Sequence, residues 1–155
     1  MTYLLPDAET VELLHETVLV FSTGRPGIHA MNLIESAVKR PESYIQYVEN
    51  YDLDTICALL IDSLARYHGF KDGNKRTALM TAIYTYKLNE IHFTASEQMN
   101  KDFDSLVMWV VQKKPEIDDI RKRLKELREL YEGKEKQSWR ALLTAFANAK
   151  LFHED

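Results

Sequence analysis

Cysteine is almost missing from this chain: Cys57 is the only one in 155 residues. An internal disulfide is excluded, and Cys57 sits in an apolar helical pattern, which reads as a small core residue rather than a nucleophile. Such usage fits a reducing cytoplasm. No run approaches the ~18 apolar residues of a membrane span. Met1 to Asp7 lack the basic start and long apolar stretch of a signal peptide, so a cytoplasmic protein is expected. An excess of positive charge is lacking too. The formal net charge is −4, and outside one short stretch the lysines and arginines are interleaved with acids, which argues against direct nucleic-acid binding. His15, His29, His92 and His153 have no second histidine, cysteine or carboxylate at a ligand spacing, so none marks a metal site. There is no internal repeat and no low-complexity tract.

A chain of this length is one domain's worth and buries about 68–70% of the surface its unfolded form exposes. Its apolar residues recur mainly at helical spacing, and the fold class expected is all-α. Val11, Leu14, Val18 and Phe21 follow the helix start at Pro6 and run to the stop at Ser22-Thr23-Gly24. His15 on this helix reads as a polar or half-buried surface residue. Arg25-Pro26-Gly27 is a turn. Ala30, Leu33, Ile34, Ala37 and Val38 form a second helix, expected to end at Pro41. Residues 41–52 break the period and read as a short flap or irregular turn carrying Tyr44, Tyr47 and Tyr51. Leu53, Ile56, Cys57, Leu60, Ile61 and Leu64 form a third stripe. Thr77 to Leu88 is apolar on nearly all sides and is expected to be the buried central helix, with Asn89 closing it in a left-handed conformation. Ser96 opens a helix through Phe103, Leu106, Val107 and Val110. Ile117, Ile120, Leu124, Leu127 and Tyr131 mark another. Gly133 to Lys136 reads as a hinge, and Trp139, Leu142, Leu143 and Phe146 define a last amphipathic helix from Ser138 to about Leu151.

Between the third and fourth stripes lies the densest chemistry of the chain, His68-Gly69-Phe70-Lys71-Asp72-Gly73-Asn74-Lys75-Arg76. A glycine turn lets backbone N–H groups converge, and the first N–H groups of a helix have no partner within it, so an anion can take them. The helix dipole adds only about 0.3–1 kcal/mol, so Lys75 and Arg76 must supply most of the attraction. Two cations at a helix N-terminus carry the unfavourable sign for a purely structural role. A carboxylate such as Asp72 repels phosphates unless it holds a cation like Mg²⁺. A metal–nucleotide site is the chemistry that accommodates all of them, with His68 one loop away as proton acceptor. Phe70, an aromatic in a polar loop, is expected to anchor that loop to the core.

These nine residues match HxFx(D/N)(A/G)NKR, and on them the chain resembles the Doc branch of the Fic/Doc (Fido) superfamily. The likeness extends over roughly residues 4–130, through Gly24-Arg25-Pro26-Gly27, Arg66 and Thr77-Ala78-Leu79. It implies a Fic/Doc-like helical bundle around a central buried helix, with a short flap that aligns a target segment by strand-like pairing. It also implies a domain over residues 1–132, followed by residues 133–155 as hinge and extra C-terminal helix of the same compact unit. The pattern departs from the adenylylating HPFxxGNGRxxR form at two places. Lys75 stands where a glycine would be, and Leu79 where a second arginine would be. Both point to the Doc-type reaction, transfer of the ATP γ-phosphate to a Ser or Thr hydroxyl of a protein.

By resemblance, Asp72 holds Mg²⁺ on the ATP phosphates, and Gly73 and Asn74 present backbone and amide donors. Lys75 and Arg76 stabilise the transferred phosphoryl group, His68 orients or deprotonates the acceptor hydroxyl, and Arg66 backs the phosphates or the substrate. The partners implied are those of a toxin: elongation factor Tu as target, with arrest of translation, and an antitoxin of the Phd type whose disordered segment folds into a groove. The extra C-terminal helix could instead cover such a groove in cis or join two copies in a homodimer. The inhibitory pattern (S/T)xxxE(G/N) is absent, because Glu132-Gly133 is preceded by Arg128. An adenylyltransferase using the same loop, and an idle domain that binds nucleotide or partner without turnover, are the competing readings.

Overall fold

The computed structural model describes residues 2–20 and 24–133. Six helices make up this part: α1 (Ala8–Val20), α2 (Met31–Tyr47), α3 (Leu53–Arg66), α4 (Asn74–Leu88), α5 (Glu97–Lys113) and α6 (Ile117–Tyr131). Among the described residues there is no strand, only isolated antiparallel bridges at Ile28–Phe70 and Phe93–Glu132. The all-α expectation holds. The expected helix from Ser138 to Leu151, with its roles in cis or between copies, lies outside the described residues.

The centre of the bundle is shared by two helices. Every residue of α3 from Leu53 to Ala65 is buried, and α4, expected to be central alone, packs along it with Thr77 to Ile83 buried. Their apolar residues meet Phe93, Phe103, Ile120 and Leu124 of the later segments in one core. Inside it, the Asp54 carboxylate accepts from Tyr86 Oη at 2.7 Å and from Arg128 Nε and Nη2 at 2.7 and 2.9 Å, pinning α3 to α4 and α6. Burial, with the nearby Asp54 charge, pushes the Cys57 thiol well up, so it is an inert core residue as expected.

The helix ends follow local chemistry. Asp52 caps α3 by accepting from Thr55 N, and Ser96 caps α5 by accepting from Met99 N. The expected end of α2 at Pro41 is corrected, since the helix runs through it to Tyr47. Proline costs the helix a donor, but Ile34, Ala37, Val38 and Pro41 are the buried face of α2, so the ring continues the apolar stripe that packs on α3. Only residues 48–52 remain for a flap. Asn89 is not left-handed either. Its φ is −104°, and Glu90 takes the positive φ of 65°. The Asn89 amide is engaged with Leu4, giving Nδ2 to its carbonyl at 2.9 Å and taking its N–H on Oδ1 at 2.8 Å. Gly133, read as the start of a hinge, is fastened by its N–H to the His92 carbonyl at 2.8 Å.

Candidate active site

The motif loop leaves α3 at its C-terminus and enters α4, so its two ends are mounted on the two most buried helices. His68 turns the chain with φ 54°, and Gly69 follows in a place no larger residue fits, since a Cβ there would stand 2.6 Å from Ile34 Cγ1. The Gly69 carbonyl accepts from His29 N and Ala30 N at 2.8 and 3.0 Å, and Lys71 N donates to the Gly27 carbonyl at 3.1 Å. The turn after Arg25 is thereby laid against the motif. Gly73, at φ 78°, occupies the left-handed region that leads into α4. The first α4 bond runs from Thr77 N to the Gly73 carbonyl at 3.0 Å, which leaves the N–H groups ahead of it outside the helix's own ladder.

Most of the loop's polar side chains hold the loop. Asn74 is buried and clasps Phe70 from both sides, giving Nδ2 to its carbonyl and accepting its N–H on Oδ1, each at 3.0 Å. Asp72 is also buried. Its Oδ1 accepts from Gly73 N at 2.9 Å and its Oδ2 from Arg25 N at 3.1 Å, joining the loop to the preceding turn. Phe70 is buried, the anchor that its place in a polar loop foretold.

Sequence reasoning missed what lies beneath Phe70. His15, expected near the surface, is 3% exposed. Its ring stacks on Phe70 with centroids 3.8 Å apart and planes 8° apart, and its Nε2 lies 2.7 Å from the Asp72 carbonyl. Its position four residues after Val11, near the apolar face, was the available signal. The partner, 57 residues away, left none.

Of the residues singled out by the sequence, His68 is exposed, Arg76 half-buried, and Asp72, Gly73, Asn74 and Lys75 buried around the start of α4. An open cleft of about 550 Å³ faces the loop, lined by Arg25, His29, His68, Phe70 and Lys71. His68 is thus presented to solvent beside a turn rich in cations. Arg66 points back along α3, its Nη1 2.9 Å from Asp62 Oδ1. Arg40 of α2, not singled out by the sequence, reaches the other oxygen of Asp62 at 2.6 Å and Ser63 Oγ at 2.7 Å.

Together these features define an all-α domain whose most buried helix pair carries a cation-bearing loop at a helix N-terminus, with a histidine beside it. A sequence profile described as the Fic/DOC family matches residues 5–86, and the chain belongs to that family. Within the Fido superfamily it falls in the Doc branch. It is 30% identical over 91 residues to the protein kinase doc of Escherichia phage P1, covering 59% of this chain and 72% of that protein. It is 32% identical over 98 residues to the toxin Doc of Mycolicibacterium smegmatis, covering 63% of this chain and 75% of that protein. No helix among the described residues is long and apolar enough to cross a membrane.

Proposed function

We propose that the chain is a Doc-like toxin kinase that transfers the ATP γ-phosphate to a Ser or Thr hydroxyl of a target protein, elongation factor Tu being the first to examine. The observation that carries this reading is Lys75. It is buried in the first turn of α4, at the place where the adenylylating pattern HPFxxGNGRxxR carries a glycine. A fixed cation there favours a nucleotide whose terminal phosphate, rather than its α-phosphate, faces the acceptor. Of the two relatives, one is a protein kinase and the other a toxin, which supports this reading.

In this reaction His68, exposed on the cleft, accepts the proton of the acceptor hydroxyl. The oxygen forms a bond to the γ-phosphorus, the bond from that phosphorus to the β–γ bridging oxygen breaks, and ADP leaves with the electron pair. Lys75 and Arg76 balance the charge spread over the transferred group. The Asn74 side chain keeps the loop in shape. Each Asp72 oxygen accepts one backbone N–H and retains a lone pair, so the carboxylate fits Mg²⁺, which takes one or two carboxylates and completes its shell with phosphates and water. Bound there, the ion would neutralise phosphate charge. An antitoxin of the Phd type is the partner proposed with this activity.

Intact-mass analysis of elongation factor Tu after incubation with the protein, Mg²⁺ and ATP tests the reading, with His68→Ala as control. A gain of one phosphate, lost in the control, is expected. A gain of one AMP would move the protein to adenylyl transfer. No change on this or other translation factors would leave an idle domain.

A further inference from the structure

We infer that Arg40 and Arg66 form a two-guanidinium seat for a substrate oxyanion, at the end of α3 that leads into the motif loop and built on the buried carboxylate of Asp62. The two arginines come from different helices, α2 and α3, and meet on one acid. Arg40 Nη1 is 2.6 Å from Oδ2 and Arg66 Nη1 is 2.9 Å from Oδ1, so each oxygen of Asp62 is committed to one guanidinium. Ser63 Oγ, 2.7 Å from Arg40, adds a second fixed point. The Asp62 side chain is only 4% exposed, whereas those of Arg40 and Arg66 are 31% and 33% exposed. The anchor is inside and the cations reach the surface.

Charge and hydrogen-bond accounting then favour an anion as the ligand of this pair. One arginine would satisfy a buried aspartate. Here two positive charges share one negative, and like charges at close range repel. A guanidinium has five N–H donors in a rigid fork. Arg40 and Arg66 each spend only Nη1, and their Nε and Nη2 groups donate to no described residue. Two such forks, held in place by a common carboxylate, match the paired oxygens of a phosphate or carboxylate group. Arg66 ends α3 two residues before His68, and Asp62 lies one turn back on the same helix, about 6 Å along its axis. That the anion belongs to a substrate rests on the reading of the site as a kinase; the seat itself does not.

Two sources share this chemistry, the nucleotide's phosphates and an acidic side chain of the protein acceptor. The test follows the arginine Nε–H signals of the full chain by NMR while pyrophosphate, or separately a blocked tri-glutamate peptide, is added. The Arg40 and Arg66 signals should shift saturably with one common midpoint. Arg40→Gln, which keeps a donor for Asp62 and Ser63, should weaken binding about tenfold or more, as expected for loss of a charge-assisted hydrogen bond. Arg40→Lys should fall between the two, because it keeps the charge without the fork. A stronger response to pyrophosphate assigns the seat to the nucleotide, and a stronger response to the peptide assigns it to the acceptor. Arg40 and Arg66 signals that stay still under both probes while the Arg76 signal moves, or unchanged binding to a folded Arg40→Gln protein, would overturn the seat. No phosphorylation enters the readout, so the kinase reading and this one can fail separately.

Discussion

The imidazole Nε2 of His15 stands 2.7 Å from the carbonyl oxygen of Asp72, and the same ring lies flat on Phe70 at 3.8 Å. A carbonyl can only accept, so the neutral ring carries its proton on Nε2. The first helix therefore supports the motif loop from beneath by one hydrogen bond and one stacked face. Replacing His15 by Ala removes both and leaves the Asp72 carbonyl without that donor, at a cost of about 1–3 kcal/mol for the lost bond alone. His15→Ala should lower the melting temperature and weaken nucleotide binding. His15→Gln, which restores a donor but no ring, should recover part of each. Wild-type melting and affinity in the alanine variant would show that the loop stands without this support.

For the chemistry itself, Arg76→Ala should be at least as damaging as His68→Ala. A well-placed arginine in phosphoryl transfer is worth roughly 10³–10⁵ in rate, against ~10²–10⁴ for a general base. Single-turnover phosphorylation by both variants makes the comparison. An Arg76→Ala protein with near-normal turnover would remove Arg76 from the proposed site.

Stability should depend most on the buried junction of α3, α4 and α6. Arg128→Ala strands the Asp54 charge, 3% exposed as a residue, with Tyr86 as its remaining side-chain partner, and breaking such a pair costs about 3–5 kcal/mol. Urea unfolding should register the loss. The same junction sets an alkaline limit. Burial, followed by the Cys57 and Asp54 charges, raises the Tyr86 hydroxyl well above its ordinary value. The unfolded chain then releases this proton at lower pH than the folded one, so stability declines as pH rises beyond about 10, where a free tyrosine ionises. Tyr86→Phe should flatten that decline.

At the acid end, Asp52 carries the opposite sign. Desolvation is the largest influence on it and pushes its carboxyl up, but the side-chain and backbone bonds from Thr55, with the charges of Arg121 and Lys125, together bring it below its ordinary value. Its stabilising contribution is complete above the unfolded value of about 3.9 and disappears as pH falls through the lower folded one. Asp52→Asn should make the folding free energy less steep below about pH 4. Identical acid slopes in the two proteins would contradict this.

Helix positions were legible because each buried stripe is written at a spacing of three and four residues, and Leu53 to Leu64 forms a helix where that spacing placed one. Pro41 misled because its missing donor is a local signal, whereas its burial against α3 is a tertiary fact. The nine-residue motif gave the loop and its charges in advance. Which of its side chains face outward was hidden, because the engagement of Asn74 with Phe70 and of Asp72 with Arg25 depends on how the loop folds back on itself. His15 stayed invisible as a support of the loop, and Arg40 as a partner of Asp62, for the same reason. Each acts through a partner on another segment.

The two hydrogen bonds between Leu4 and Asn89 join residues 85 positions apart and fasten the opposite end of the helix that carries Lys75 and Arg76. During synthesis at about 5–20 residues per second, roughly 4–17 s separate the appearance of these two residues. The His15 support can close once residue 72 is made, whereas the clasp has to wait for residue 89. Arg76 precedes Asn89 by 13 residues, so on a ribosome the loop is complete for only about 1–3 s before the far end of its helix can be fastened.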